Sequence, residues 1–124
     1  MSLAVGVGCR SGCEADAIVD LVRRALGEAA RPDAPSGLYT HAAKIGEKGL
    51  MEAAAALGLP LVFLPPEFLR EASGRAATRS AKVEALFDLP SIAETAALAG
   101  AGAGARLILP RRNGAGASCA LAES

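Results

Sequence analysis

The sequence predicts an α/β protein: a three-layer α/β/α sandwich around a mixed, mainly parallel sheet of about five strands, closed by a C-terminal antiparallel hairpin. Three observations carry this. Short apolar runs alternate with amphipathic helical stretches along most of the chain. The first run, Leu3 to Val7, enters a glycine-rich segment, Val5-Gly6-Val7-Gly8-Cys9-Arg10-Ser11-Gly12, that a helix follows. Near the other end, Arg111-Arg112-Asn113-Gly114 carries an Asn-Gly hairpin signal between two apolar runs.

Each element has its own local reason. Leu3 to Val7 is a short buried strand. Ser11 and Glu14 are spaced as a capping box for the first helix. Ile18, Leu21, Val22, Ala25 and Leu26 then recur on one face, with Asp16, Asp20, Arg23 and Arg24 on the other. Arg31 to Gly37 is a loop rich in proline, and Leu38 to Ala42 a short strand. A polar connection, Lys44 to Gly49, leads to a helix packing Leu50, Ala53, Ala54 and Leu57; Gly58 stops it. Leu61 to Leu64 is a buried strand, and Pro66 starts a helical turn through Phe68 and Leu69. Ala72 to Arg79 is small, polar and basic, and is read as a mobile loop. Ser80 caps a short helix with Val83, Leu86 and Phe87; Ser91 and Glu94 form a second capping box. Gly100 to Gly104 links to a strand at Arg106 to Leu109, and Ala117 to Leu121 returns beside it.

The 124 residues are expected to form one domain, 1–124, with alanine-rich helices lying close on aliphatic strands. Thirteen basic residues balance thirteen acidic ones, so no net field draws the chain to nucleic acid or an anionic membrane. No apolar run has the length of a membrane span and no signal-peptide pattern opens the chain, which reads as soluble and cytoplasmic. Cys9, Cys13 and Cys119 are odd in number and lack a second close pair, so neither a disulfide framework nor a metal site is expected. No cofactor is read from the sequence: Gly6-x-Gly8-x-x-x-Gly12 departs from the dinucleotide fingerprint, and Thr40-His41-Ala42 stands where an acidic residue would be needed.

The candidate site gathers at the strand ends. Gly8 and Gly12 would either let backbone amides hold an anion ahead of the helix or simply make a tight turn. Arg10 would clamp a carboxylate or phosphate, or stand in solvent. In a parallel sheet Cys9 and His41 lie at the same edge, as nucleophile and base or as packing residues. Lys44 and Glu47 would bind a polar ligand or pair with each other. Arg75 and Arg79 would close over an anion or serve solubility.

These pieces together resemble the CobE / CbiG C-terminal domain family of cobalamin biosynthesis. The matching motifs are Gly6-Val7-Gly8-Cys9-Arg10-x-Gly12, Lys44-x-x-Glu47-x-Gly49-Leu50, Ser80-x-x-Val83, Ser91-Ile92-Ala93-Glu94-x-Ala96-Ala97 and Leu107-Ile108-Leu109-Pro110, spanning nearly the whole chain. Two positions depart from the pattern: Arg111 stands where the family usually has lysine, and Cys13 where threonine or serine is expected. The resemblance, to the stand-alone rather than the longer form, implies an α/β/α fold and a place in corrin-ring synthesis. It adds Ser80 and Arg111 to the ligand-binding set. The implied ligand is a precorrin or corrinoid, a flat apolar ring fringed with carboxylates, held by a carrier or accessory protein. The alternatives are an enzyme related to the family's cobalt-precorrin-5A hydrolase and a small phosphate- or nucleotide-binding module. Other corrin-pathway enzymes and a second copy of the chain are the candidate protein partners.

Overall fold

The computed structural model describes residues 2–31 and 34–124. Part of the proline-rich loop read at 31–37, namely Pro32 and Asp33, lies outside the described residues. The elements run β1 (Leu3–Cys9), α1 (Ala15–Glu28), β2 (Leu38–His41), α2 (Lys48–Leu57), β3 (Leu61–Leu64), α3 (Pro66–Ala72), α4 (Ala81–Phe87), α5 (Ile92–Ala101), β4 (Arg106–Gly114) and β5 (Ala117–Glu123). The sheet order is β3-β2-β1-β5-β4, with β1–β2 and β2–β3 parallel and β5 antiparallel to both its neighbours. Four strands therefore share a direction and β5 alone is reversed. No helix among the described residues is long and apolar enough to cross a membrane.

Alternation along β1 explains the layering. Val5 and Val7 face α1 and α2, in a cluster with Ile18, Leu21, Val22, Leu50 and Leu121. Ala4 points the other way, among Ala93, Ala97, Leu98, Ala120 and Ala122. Gly6 shares that second face. A Cβ there would overlap the Ala93 carbonyl oxygen and the Ala97 amide nitrogen of α5. Alanine and glycine thus bring a fully sunken helix down onto the sheet, which accounts for the alanine-rich composition.

Several local expectations change in the three-dimensional structure. The first helix starts at Ala15, with Glu14 as its N-cap and no side-chain cap bond; Ser11 is exposed. The reason is Gly12, whose positive φ of 77° and the adjoining Cys13 N–H to Arg10 carbonyl bond keep residues 10–13 in a turn. The hairpin turn falls at Ala115-Gly116, two residues beyond Asn113-Gly114. Both turn residues have positive φ, 36° and 85°, as a two-residue hairpin loop requires. Pairing of Gly114 with Ala117 sets that register. The hairpin supplies the antiparallel edge of the sheet, as the sequence predicts, with its strands in a set order. Its second strand, β5, lies inside the sheet and β4 forms the edge. Five consecutive β5 residues, Cys119 to Glu123, are buried, whereas β4 carries Arg106, Pro110, Arg111 and Arg112, which suit an edge.

The segment 72–79 is pinned rather than mobile. The Glu94 carboxylate, fully buried, accepts from the Ala77 and Thr78 amides at 3.0 and 2.7 Å and from the Thr78 hydroxyl at 2.7 Å. It also accepts from the Arg111 amide at 2.9 Å. Ser91 caps α5 by accepting from the Glu94 amide at 3.2 Å, but the reciprocal half of the capping box is absent because that carboxylate is engaged elsewhere.

Candidate functional site

The carboxyl ends of β1 and β4 open onto one hollow, of about 660 Å³. It lies where the parallel strands part: from β1 the chain steps to β2 and β3 on one side, then returns through α5 to β4 on the other. Such switch points leave a crevice between diverging loops.

Four cationic side chains from four separate segments line it: Arg10 after β1, Lys44, Lys82 on α4 and Arg111 on β4. None of the four forms a salt bridge among the described residues, and no carboxylate lines the hollow. In a chain of balanced charge this is a local excess of positive charge. Val83, Leu86, Phe87 and Ile92 form an apolar wall, and Ser11, Asn113 and Ser118 add hydrogen-bonding groups.

Each cation has a local cause. Lys44 ends a single 3-10 turn, Ala42–Lys44, started by His41, whose Nδ1 accepts from the Ala43 amide at 2.9 Å. Arg111 faces the hollow because strand alternation sends its neighbour Arg112 to the opposite face, where it is bound bidentately by Glu28. The Arg10 side chain lies along the hairpin turn, near Gly116.

Of the sequence-derived candidates, Gly8, Cys9, Arg10, Lys44 and Arg111 line the hollow. Gly12, Glu47, His41 and Ser80 do not, yet three of them brace it. Glu47 accepts from the Gly12 amide at 3.2 Å, tying the β1 loop to the chain beside Lys44. Ser80 caps α4 by accepting from the Val83 amide. His41 stacks at a tilt on Phe87, ring centroids 5.0 Å apart. Arg75 and Arg79 are committed elsewhere, to the Ala105 carbonyl at 2.7 Å and to Glu84 at 2.8 Å.

The glycine segment itself acts differently from the expectation. Gly6 and Gly8 belong to β1, and the loop amides of Arg10, Gly12 and Cys13 already donate to Gly116, Glu47 and Arg10. Those three amides are spent within the fold, while the four cationic side chains face the hollow. Lys82, Asn113 and the start of β5 were missed. Their entry depends on where α4 and the hairpin dock, which no local pattern records.

Burial holds the Cys9 thiol up at about 11, although Lys44 pulls the other way. At neutral pH it is a protonated, weak nucleophile. No hydrogen bond joins it to His41. Burial, then Lys44 and Arg70, lower the affinity of His41 for a proton below the ordinary 6.5. As His41 is the single histidine, its NMR titration will give a midpoint under that value. The unfolded chain then binds the proton more tightly, so stability is full above 6.5 and falls as pH drops towards the folded midpoint. A His41→Asn variant, which keeps an acceptor for the Ala43 amide, will lose that slope; a midpoint at or above 6.5 in the native protein contradicts it.

Residues 3–122 match the family model described as cobalamin synthesis G C-terminus. The chain belongs to that family. Protein CobE of a Sinorhizobium species is 34% identical over 123 residues, covering 97% of this chain and 79% of that protein. The crystal structure of CobE, a protein from the cobalamin (vitamin B12) biosynthetic pathway, is similar with a TM-score of 0.92 and 37% identity, covering 99% of this chain and 90% of that one. Cobalamin biosynthesis protein chiG from Agrobacterium tumefaciens has a TM-score of 0.77 and 34% identity, with 98% of each chain covered. This CbiG C-terminal protein is a member of the cobalamin biosynthetic pathway.

Proposed function

We propose that the protein binds a precorrin or corrinoid intermediate, as a carrier or accessory factor for other enzymes of the pathway. The observation that supports this is the hollow itself: four cations without carboxylate partners among the described residues, facing an apolar wall. Corrin intermediates have the matching chemistry, a flat apolar ring with acetate and propionate carboxylates around it. The volume of about 660 Å³ lies within the roughly 300–1,000 Å³ of small-molecule sites. With few aromatic residues in the chain, the ring carboxylates supply much of the hold. A nucleophilic role for Cys9 has no support, since its thiol stays protonated.

Titration with hydrogenobyrinic acid, followed by visible absorption and co-elution, tests the reading. Binding at micromolar protein is expected, and raising the salt concentration will weaken it. Arg10→Ala will weaken binding by about tenfold through a lost charged hydrogen bond. Arg112→Ala, whose side chain is held by Glu28 away from the hollow, will leave it nearly unchanged. No spectral change and no co-elution overturns the assignment; equal affinities for the two variants remove the loop carrying Arg10 from the site.

A further inference from the structure

The short helix α4 stands apart from the other four. None of its seven residues is buried, whereas each other helix sinks at least two. Its two ends are nevertheless fixed. At the start, Ser80 donates its amide to the Pro90 carbonyl at 2.8 Å, and the preceding residues Ala77 and Thr78 hang on Glu94. At the end, Asp88 closes the helix in a left-handed conformation, φ 57°. Val83 and Phe87, four residues apart, lay one edge of the helix against Leu64, Leu69, Leu89 and Ala96. Lys82 and Leu86, also four apart, line the mouth of the hollow. Leu86 is 66% exposed there.

An exposed leucine one helical turn from an unpaired lysine is a poor surface for water alone. It suits a ligand that presents an apolar face and an acidic rim together. Resting on the corrinoid reading above, we propose that α4 is the specificity-determining wall of the site: Leu86 covers the apolar face of the ring and Lys82 binds one of its peripheral carboxylates. The helix completes its burial against the ligand rather than against the protein. The anchored ends keep the wall in place beforehand, so little ordering is required when the ring arrives. Charge alone would admit any polyanion of suitable size; the leucine makes the site select an amphipathic one.

The experiment uses the full chain and hydrogenobyrinic acid, with inorganic phosphate and a nucleoside triphosphate as anions lacking the ring. Because the sequence has no tryptophan, Leu86→Trp places a single indole at the mouth. Its emission will be quenched by the acid and left alone by phosphate. Leu86→Asp will weaken binding by at least about tenfold, since burial of a leucine is lost. Lys82→Ala will weaken it less, by about threefold to tenfold, and flatten the salt dependence. Phe68→Asp, on α3 and also exposed, at 53%, but outside the hollow, is the control and will bind as the native chain does. Melting temperatures of Lys82→Ala and Leu86→Trp will match the native protein, since neither side chain is buried. If the native chain binds the acid while Leu86→Asp and Lys82→Ala bind equally well, the wall is elsewhere and the corrinoid reading survives. If the native chain does not bind the acid at all, that reading falls and this inference with it.

Discussion

Glu94→Ala will destabilise the protein by about 3–5 kcal/mol, the cost of stripping a buried acceptor from several donors at once. The carboxylate is fully buried in α5 and holds four groups from two distant stretches: the Ala77 amide, the Thr78 amide and hydroxyl, and the Arg111 amide. Alanine takes this acceptor from all four. The loss is smaller than four separate hydrogen-bond deletions because these contacts are only partly buried and water can reach some of them. Urea unfolding gives the magnitude; a midpoint shift worth less than about 1 kcal/mol would show that the segment 76–79 is held by other means. Hydrogen exchange supplies the local signature, with protection lost first at the amides of Ala77, Thr78 and Arg111. The proposed corrinoid binding should weaken together with stability, since Glu94 tethers both the chain leading into α4 and the backbone of Arg111.

Gly6→Ala will cost about 3 kcal/mol or more, at the upper end of overpacking penalties, because backbone rather than a flexible side chain is in the way. The added methyl would meet the Ala93 carbonyl and the Ala97 amide, and α5 has no direction in which to retreat. Ile92 through Leu98 are all buried, and the helix lies against β1, β2, β4, β5 and α3. Gly27→Ala is the internal comparison. That glycine sits in the last turn of α1 with nothing within 4 Å of a new Cβ, so the same substitution will stabilise by about 0.5–1 kcal/mol. Thermal or urea unfolding of the two variants should move in opposite directions. A neutral Gly6→Ala would mean that α5 does not lie as close to β1 as described.

Much of this architecture is visible in short stretches of chain. The Gly58 stop, the Pro66 start, the serine caps at Ser80 and Ser91, and the apolar runs of β1 and β3 each depend on neighbours within a few residues. The hairpin is an instructive miss. Asn113-Gly114 has stronger turn chemistry than Ala115-Gly116, yet cross-strand register decided the matter. Ser11 likewise has the correct side chain and spacing for a cap, but the turn at Gly12 takes the chain out of reach. The segment 72–79 looked loose because its own residues are small and polar; the carboxylate that fixes it comes from Glu94.

The amino-acid sequence by itself settled the order of strands and helices, the layered class and family membership, and it singled out Arg10 and Lys44, which line the hollow. Local backbone preference and apolar periodicity act over a turn or a strand, so a linear reading captures them. Only the tertiary structure decided that β5 lies within the sheet, that the amides of Arg10, Gly12 and Cys13 are consumed internally, and that Lys82 and Arg111 join the other two cations around one hollow. A shared electrostatic field depends on distances across space, and those are set by the packing of segments far apart along the chain.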